Sequence, residues 1–292
     1  MADVIKLIGG VAWMANKWFG GVLAPNGKIY GIPHDSTNVL VIDPYRDTTI
    51  TFGNLAGNGK WVGGVLAENG IIYCIPYASL SILRIDPSNN TTTTFGFLSY
   101  TSPGWSGGVL APNGKIYGIP YSSTTVLKID PALNQVSTFG NIVDTNLDIP
   151  PWYRAGTKKW IGGVLAPNGV IYGIPHNSAS VLRIDTVTDT VTTFGNISGI
   201  GKWIGGALAP DGQIYCAPYN STTVLKIDPR NDVATIVGGT LSTPGWGGGV
   251  LAQNGYIYCA PVSSNVVLKV GSSNTPIFVP IDCCASRYFN KL

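Results

Sequence analysis

Residues 105–120 read WSGGVLAPNGKIYGIP, and the fold follows from this stretch because the chain contains six variants of it. The other five copies open at Trp18, Trp61, Trp160, Trp203 and Trp246. Successive copies begin 43, 44, 55, 43 and 43 residues apart. A period of about 40–45 residues is typical of four-stranded propeller blades. The chain is therefore expected to be a repeat protein.

Each repeat is predicted to contain four strands. GGVLA predicts an inner strand whose glycines allow close backbone approach, and the Asn-Gly that follows it, as at Asn26-Gly27, is a strong hairpin signal. IYGIP predicts the second strand, and VLKIDP at residues 126–131 predicts the third, which ends in an Asp-Pro turn. QVSTFG at residues 135–140 predicts a β-branched outer strand. The expected fold is all-β, a six-bladed β-propeller of four-stranded antiparallel blades.

The start of the chain resembles an outer strand rather than a leader. Residues 3–10, DVIKLIGG, match residues 232–239, DVATIVGG, which form the predicted outer strand of the fifth repeat. We expect the N-terminal strand, residues 3–9, to complete the last blade, because this arrangement removes two sheet edges at once. Residues 275–280, TPIFVP, are the alternative fourth strand, or a fifth strand outside it.

The bulk properties favour one globular domain. A closed ring of repeats shares a continuous core, so residues 1–292 are expected to form a single domain in which 271–292 are a C-terminal tail. Charged residues are 11% of the chain and the net charge is +3, which is too small to imply a polyanionic partner by itself.

Cysteine usage and hydropathy bear on the cellular compartment. No stretch approaches eighteen consecutive apolar residues, so no membrane span is expected, and MADVIKLIGG lacks the features of a secretory signal. Of five cysteines, Cys74, Cys216 and Cys259 fall within predicted strands, and Cys283 and Cys284 are adjacent in the tail. This odd number and placement indicate reduced thiols and a cytoplasmic protein.

The order of hydrophobic strand, Asn-Gly turn, Ile-Tyr strand and Val-Leu-Lys-Ile-Asp-Pro strand resembles the blade of NHL-repeat, gluconolactonase-like and streptogramin-lyase-like propellers over nearly the whole chain. The resemblance implies architecture, and fold alone does not carry activity. In those families the lactonases bind a divalent metal through Glu, Asn and Asp, and the lyases use a His with acidic partners. Here there is one glutamate, Glu68, and neither acidic set can be matched. We therefore assign no catalytic residue, no metal site and no cofactor, and expect a binding protein rather than an enzyme.

One position repeats an aromatic or imidazole side chain after the Ile-Pro of the second strand. It is occupied by His34, Tyr77, Tyr121, His176, Tyr219 and Val262 in repeats one to six. Because repeats one and four oppose each other in a ring of six, the two histidines could be ligands for a metal or an anion in the channel mouth. The favoured interpretation is that His and Tyr are interchangeable half-buried aromatics, since two ligands do not make a closed metal site.

Charges divide unequally between the two predicted faces. Loops after strands two and four place six cations, Lys17, Lys60, Arg154, Lys158, Lys159 and Lys202, with three acids, Asp35, Asp144 and Asp148. Hairpins and turns on the other face carry eleven acids against four cations. Either the acids are turn residues and the lysines keep the rim soluble, or the basic rim binds an anionic or hydroxyl-rich ligand.

Two aromatic features add to the basic rim. A lysine directly precedes the repeat Trp at Lys17, Lys60, Lys159 and Lys202. The six Trp are expected to pack between blades, although exposure at a loop end would allow stacking. Residues 142–159 lengthen the loop before the fourth repeat and add Trp152, Tyr153 and Arg154 as candidate contacts.

These features predict a non-enzymatic binding or scaffold propeller that presents its basic, aromatic-bearing face, with the 142–159 insertion, to a macromolecular partner. The expected partner is a protein or a glycan, and the alternatives are an anionic ligand and nucleic acid. One alternative is a multivalent, lectin-like carbohydrate-binding propeller, in which avidity compensates for weak sites. The other is a metal-dependent lactonase-like or lyase-like enzyme.

Overall fold

The computed structural model describes residues 8–10, 15–99, 104–142 and 158–271. These residues contain 23 β-strands and no helix, in six antiparallel sheets. Within each sheet the strands lie in chain order, so every blade is an antiparallel meander. The six-bladed β-propeller expected from the repeat is confirmed.

The first three blades have four strands each. Blade 1 contains β1 (Trp18–Leu23), β2 (Ile29–Pro33), β3 (Val39–Asp43) and β4 (Thr48–Phe52). Blade 2 contains β5 (Trp61–Leu66), β6 (Ile72–Pro76), β7 (Ile82–Asp86) and β8 (Thr91–Phe95). Blade 3 contains β9 (Trp105–Leu110), β10 (Ile116–Pro120), β11 (Val126–Asp130) and β12 (Gln135–Phe139).

Blades 4 and 5 have four strands each, and blade 6 has three described strands. Blade 4 contains β13 (Trp160–Leu165), β14 (Val170–Pro175), β15 (Val181–Asp185) and β16 (Thr190–Phe194). Blade 5 contains β17 (Trp203–Leu208), β18 (Ile214–Pro218), β19 (Val224–Asp228) and β20 (Val233–Val237). Blade 6 has three described strands, β21 (Trp246–Leu251), β22 (Ile257–Pro261) and β23 (Leu268–Val270).

Residues 3–7 of the predicted closing strand and all of its alternative, 275–280, lie outside the described residues. Gly9, which is described, bears on the choice. The glycine that ends an outer strand packs against the outer strand of the next blade, so that a Cβ at Gly96 would lie 2.2 Å from Val136. Gly9 packs in the same way against Thr49 of β4. This position favours residues 3–9 as the outer strand of the blade preceding blade 1, which stays a prediction.

The paired glycines of the inner strand are required by a β-bulge. In blade 2, Trp61 pairs with Pro76 and Gly64 with Cys74, so Val62 and Gly63 together oppose one residue. Gly63 has φ +77°, and a Cβ there would lie 3.2 Å from the Cα of Gly107 in the next blade. Only glycine suits both this conformation and this contact, so the predicted close approach of inner strands is confirmed.

The Asn-Gly turn, the strand-two Tyr and the turn after strand three meet across blade boundaries. The Oη of Tyr30 donates to the carbonyl of Pro87 at 3.2 Å, and the Nδ2 of Asn26 donates to the same carbonyl at 2.9 Å. Tyr172 repeats the contact with Pro229 at 3.2 Å. Each such Tyr is buried with its hydroxyl satisfied, as a buried Tyr must be. These contacts explain why the Asn-Gly turn, the strand-two Tyr and the turn after strand three occur together in the repeats.

Five clusters of buried apolar residues join consecutive blades from blade 1 to blade 6. The equivalent residues between blade 6 and blade 1 are less buried. Leu40 of blade 1 is partly exposed, whereas its counterpart Leu182 is fully buried. Val267 of blade 6 is 60% exposed, whereas its counterpart Val126 is fully buried. Among the described residues, five junctions are therefore sealed by buried clusters, and the apolar side chains at the sixth are partly exposed.

The thiols of Cys74, Cys216 and Cys259 are free and buried in second strands, as expected for reduced cysteines. Burial raises the pKa of the Cys259 thiol to about 12 and raises that of Cys74 as well. Cys283 and Cys284 lie outside the described residues. In the part of the chain that the structure covers, no helix has the length and hydropathy needed to cross a bilayer.

Candidate functional site at the channel mouth

A cavity of about 200 Å³ follows the axis of the propeller. Its lining is mostly the backbone of paired glycines from blades 2 to 6, with Val250, Tyr258 and Ala260 on the blade 6 side. Backbone walls offer few side chains for chemistry, and the candidate site residues lie outside this lining. The residues after the second strands lie at one such end, beside the start of each inner strand.

Four aromatic side chains from three blades lie in consecutive contact at this mouth. We call Phe19, His34, Tyr77 and Tyr121 the aromatic arc. The ring centroids are 5.0 Å apart for Phe19 and His34, 5.7 Å for His34 and Tyr77, and 5.1 Å for Tyr77 and Tyr121. The structure thus brings three of the predicted site residues together.

Phe19 is the member of the arc that sequence reasoning missed. It is 45% exposed and follows the repeat Trp. The other repeats have Val62, Ser106, Ile161, Ile204 and Gly247 at this position. Phe19 could have been predicted from the sequence, because it is aromatic at a position that is aliphatic or small in the other five repeats.

His176 and Tyr219, also predicted, form a separate pair at 5.7 Å. Each histidine contacts the Tyr of the following blade, so the two imidazoles belong to different groups of side chains. Among the described residues, no three His, Cys, Asp or Glu side chains are placed to share a metal ion. Val262, at the sixth position, is exposed.

Three of the four lysines that precede a repeat Trp have their ammonium groups inside the fold. Lys60, Lys159 and Lys202 are buried. The Nζ of Lys60 donates to the carbonyls of His34 at 2.9 Å and Gly57 at 2.5 Å, and that of Lys202 donates to Ser178 at 2.9 Å. Burial lowers the pKa of Lys60, while the Asp35 carboxylate acts in the opposite direction. These ammonium groups fasten one blade to the loop of the preceding blade.

The remaining predicted cations differ in accessibility. Lys17 is partly exposed, with its Nζ 5.2 Å from the Trp18 ring, and Lys158 is exposed. Trp152, Tyr153 and Arg154 lie outside the described residues. The charge of the buried lysines still contributes to the potential of this face, but their ammonium groups are not positioned to contact a partner.

The repeat Trp residues pack between blades, as expected. Trp61, Trp105, Trp160, Trp203 and Trp246 are buried. Each indole N–H donates to a backbone carbonyl, for example from Trp61 to Ser81 at 2.9 Å and from Trp203 to Thr223 at 2.8 Å. Because both the apolar surface and the polar group are satisfied internally, these rings are unsuited to stacking on a ligand.

On the opposite face, the aspartates stabilise turns by accepting hydrogen bonds from backbone amides. The Oδ1 of Asp43 accepts the amides of Tyr45 and Arg46 at 3.0 and 3.1 Å, and the Arg46 guanidinium is the main cause that lowers the pKa of Asp43. Cations from the third strands also reach this face, since Lys128 pairs with Asp189, and Arg183 with Asp232 at 3.1 Å. The acidic bias is therefore partly neutralised, which supports the turn-residue interpretation of these acids.

Two sets of residues at the channel mouth share the same hydrogen-bonding arrangement. The blade 1–2 rim comprises His34, Asp35, Gly59 and Lys60, and the blade 4–5 rim comprises His176, Asn177, Gly201 and Lys202. The amide of Gly59 donates to Oδ1 of Asp35 at 2.7 Å, and the amide of Gly201 donates to Oδ1 of Asn177 at 2.7 Å. At each rim, one side-chain oxygen thus holds the loop that leads into the inner strand of the next blade.

The two imidazoles differ in environment. The Nδ1 of His176 is hydrogen-bonded to the carbonyl of Trp203 at 3.1 Å, and burial lowers the pKa of His176 to about 4. The Nδ1 of His34 lies 2.9 Å from Oδ1 of Asp35, in an orientation outside hydrogen-bond geometry. The side chains of His34 and Asp35 remain 15% and 22% exposed. The blade 1–2 rim is therefore the more accessible one.

The fold defines the class of protein as a six-bladed propeller, and streptogramin B lyases are among the solved structures that it resembles. The virginiamycin B lyase from Staphylococcus aureus superposes with a TM-score of 0.72 at 12% identity, over 89% of this chain and 82% of that one. A catalytically inactive variant of that lyase with quinupristin gives 0.70 at 14%, over 90% and 86%. Hydrazine synthase from Kuenenia stuttgartiensis gives 0.60 at 14%, over 85% and 75%.

At these identities the likeness concerns the fold alone, and at that level it confirms the resemblance drawn from the repeat phrase. No family model and no curated protein sequence matches the chain.

Proposed function

We propose that this chain is a non-enzymatic binding module that holds its partner at the channel mouth, through the aromatic arc. The observation that carries the proposal is the consecutive contact of Phe19, His34, Tyr77 and Tyr121 across three blades. Aromatic side chains with polar tips are typical of recognition sites, because they combine large contact area with hydrogen bonding. Phe19 is the most exposed of the four.

The rigidity of the rim supports this role. The amide of Lys60 donates to the carbonyl of His34 at 3.0 Å, and the amide of Gly104 donates to that of Tyr77 at 2.6 Å. The buried lysine ammonium groups add further bonds between blades. A site built on elements that are fixed before binding loses less entropy when a partner arrives.

The two described ends of the insertion lie beside the same site. Its described ends are tied to blade 3, where the amide of Ile142 donates to Thr124 and that of Lys159 to Tyr121, both at 2.7 Å. Residues between these ends therefore leave and re-enter the fold beside the arc. This placement supports a macromolecular partner that contacts the arc and the insertion together.

Capture of partners from a cytosolic extract tests the proposal. The double variant Phe19→Ala/Tyr77→Ala and a variant that replaces residues 143–157 by a short Gly-Ser linker are each expected to lose partners that the wild type retains. Tyr45→Ala is the matched control, because Tyr45 is an exposed aromatic on the opposite face. Equal capture by the arc variant and the wild type would contradict the proposal.

A cytoplasmic location is part of this proposal. Three buried free thiols suit a reducing compartment, where disulfides are rare. Labelling of the thiols in freshly lysed and in denatured protein provides the measurement. Reversible oxidation in the protein isolated from cells would argue against this location.

An enzyme is the second candidate, favoured by one observation. The partly exposed His34 and Asp35 lie side by side at the mouth, and an imidazole beside a carboxylate is suited to general base chemistry. Two of the similar structures are lyases. Incubation with quinupristin followed by mass spectrometry tests this reading, and a product formed by the wild type but not by His34→Gln would replace the binding module with an enzyme.

A further inference from the structure

The matched rims show that the fold does not need the charge of Asp35. At the blade 4–5 rim the neutral amide of Asn177 accepts the loop amide at 2.7 Å, the same distance as the Asp35 carboxylate at the blade 1–2 rim. A carboxylate that is 22% exposed is costly to place in a fold when a neutral group gives the same bond. The loop contact itself therefore does not require a charge at position 35, where the carboxylate also interacts with the Lys60 ammonium.

Asp35 lies directly beside His34. Its Oδ1 is 2.9 Å from Nδ1 of His34, in an orientation outside hydrogen-bond geometry. His176 differs, because it is buried and its Nδ1 is engaged with Trp203. The blade 1–2 rim therefore offers a carboxylate, which accepts hydrogen bonds, beside a partly exposed imidazole.

The flanking side chains supply the apolar part of the site. Phe19 lies on one side of His34 at 5.0 Å and Tyr77 on the other at 5.7 Å. The buried ammonium of Lys60, which is bonded to the carbonyl of His34, offsets the charge of Asp35. A ligand that matches this environment has several hydroxyl donors, an apolar face and no net charge.

We propose that Phe19, His34, Asp35 and Tyr77 form a single binding site for a neutral saccharide, which gives the partner of the proposed function its chemical class. A pyranose ring places its C–H face on the aromatic side chains and donates hydroxyls to the Asp35 carboxylate, beside the imidazole of His34. Of the two matched rims only the blade 1–2 rim forms the site, because the blade 4–5 rim is closed by burial of His176 and carries an amide in place of the acid. This inference rests on the proposed function.

The test uses three related probes: methyl glucoside, which is neutral, glucosamine, which is cationic, and glucuronate, which is anionic. Saturation-transfer NMR on the full chain is expected to show transfer from the protein to the C–H protons of methyl glucoside, and calorimetry to give one site per chain. Asp35→Asn reproduces the side chain found at the matched rim and should weaken binding about tenfold or more, because a charge-assisted hydrogen bond is lost. Phe19→Ala should weaken it as well.

Asn177→Asp is the control, and its affinity for methyl glucoside should equal that of the wild type. The inference is overturned if methyl glucoside shows no transfer, if Asp35→Asn binds as the wild type does, or if glucosamine or glucuronate binds more tightly. Partner capture that depends on the arc, together with no saccharide binding, would leave the proposed function standing and remove only the ligand class. Circular dichroism of each variant verifies that a loss of binding is not a loss of fold.

Discussion

The junction of blades 4 and 5 and the junction of blades 6 and 1 are built from the same repeated residues and differ in burial. In the first, Tyr172 and Ile174 of blade 4 pack on Trp203 and Leu225 of blade 5, and all four are buried. In the second, Trp18 and Leu40 of blade 1 are partly exposed, and Val267 of blade 6 is exposed. Side chains at equivalent positions therefore bury different amounts of apolar surface at the two junctions.

This difference shows that the stability of a repeat depends on more than its own sequence. Its apolar side chains are buried only where the neighbouring blades cover them. A blade in the middle of the array receives covering side chains from both sides. Blade 1 receives them from blade 2, through the buried cluster that includes Val39 and Leu83. Three predictions test this contrast between the sealed junctions and the sixth junction. They are ordered from the largest to the smallest expected change in the free energy of unfolding.

Replacing the repeat Trp should have the largest effect at a sealed junction. Trp203→Ala is expected to lower the free energy of unfolding by about 3–5 kcal/mol, because a fully packed indole is lost and a cavity remains. Trp18→Ala should cost about half of this or less, since Trp18 already contacts solvent. Urea unfolding monitored by far-UV circular dichroism gives both values. Equal losses for the two variants would mean that the sixth junction is sealed in solution.

The sequence was sufficient to predict the 23 described strands, while the strand that closes blade 6 stays a prediction. The spacing of the repeat Trp predicts the number of blades, and the Asn-Gly, Ile-Tyr and Asp-Pro signals predict strand limits, because each has a local physical cause. Unequal burial could not be predicted in this way. Leu40 and Leu182 occupy the same place in the same phrase, and only the packing of distant segments separates them.

The second prediction concerns pH and the sealed junction, where His176 is bonded to the carbonyl of Trp203. Burial lowers the pKa of His176 from 6.5 to about 4, so between these values the unfolded chain binds a proton that the folded chain does not. Stability should therefore be constant above about pH 6.5 and fall as the pH drops towards 4, by up to about 3 kcal/mol.

The control for this pH effect is His176→Gln, which removes the titrating group. Urea midpoints of the wild type, measured at intervals from pH 7 to pH 4, should decline more steeply than those of the variant. Parallel curves for the two proteins in this window would show that His176 is accessible to protons in the folded state, and that the junction is not sealed around it.

Candidate site residues were harder to predict than strands, and the lysines show why. The position of Lys60 and Lys202 before the repeat Trp suggested a basic rim, yet their ammonium groups are bonded to backbone carbonyls of neighbouring loops. A lysine side chain is long enough to reach either solvent or a carbonyl, and sequence spacing does not distinguish the two. The position shared by His34 and Tyr77 was informative, because it lies at a fixed place relative to the channel.

The third prediction uses the tyrosine that links blades through its hydroxyl. The Oη of Tyr172 donates to the Asp232 carboxylate at 2.6 Å and lies 3.2 Å from the Pro229 carbonyl, so Tyr172→Phe should destabilise the fold by about 1–2 kcal/mol. Tyr258 of blade 6 has its hydroxyl bonded to Asn254 of its own blade at 2.9 Å, and Tyr258→Phe should cost only a few tenths of a kcal/mol. Both variants retain the ring, so thermal unfolding isolates the hydroxyl. A loss for Tyr258→Phe as large as that for Tyr172→Phe would indicate that blade 6 has a partner across the sixth junction in solution, equivalent to the one that Tyr172 finds in blade 5.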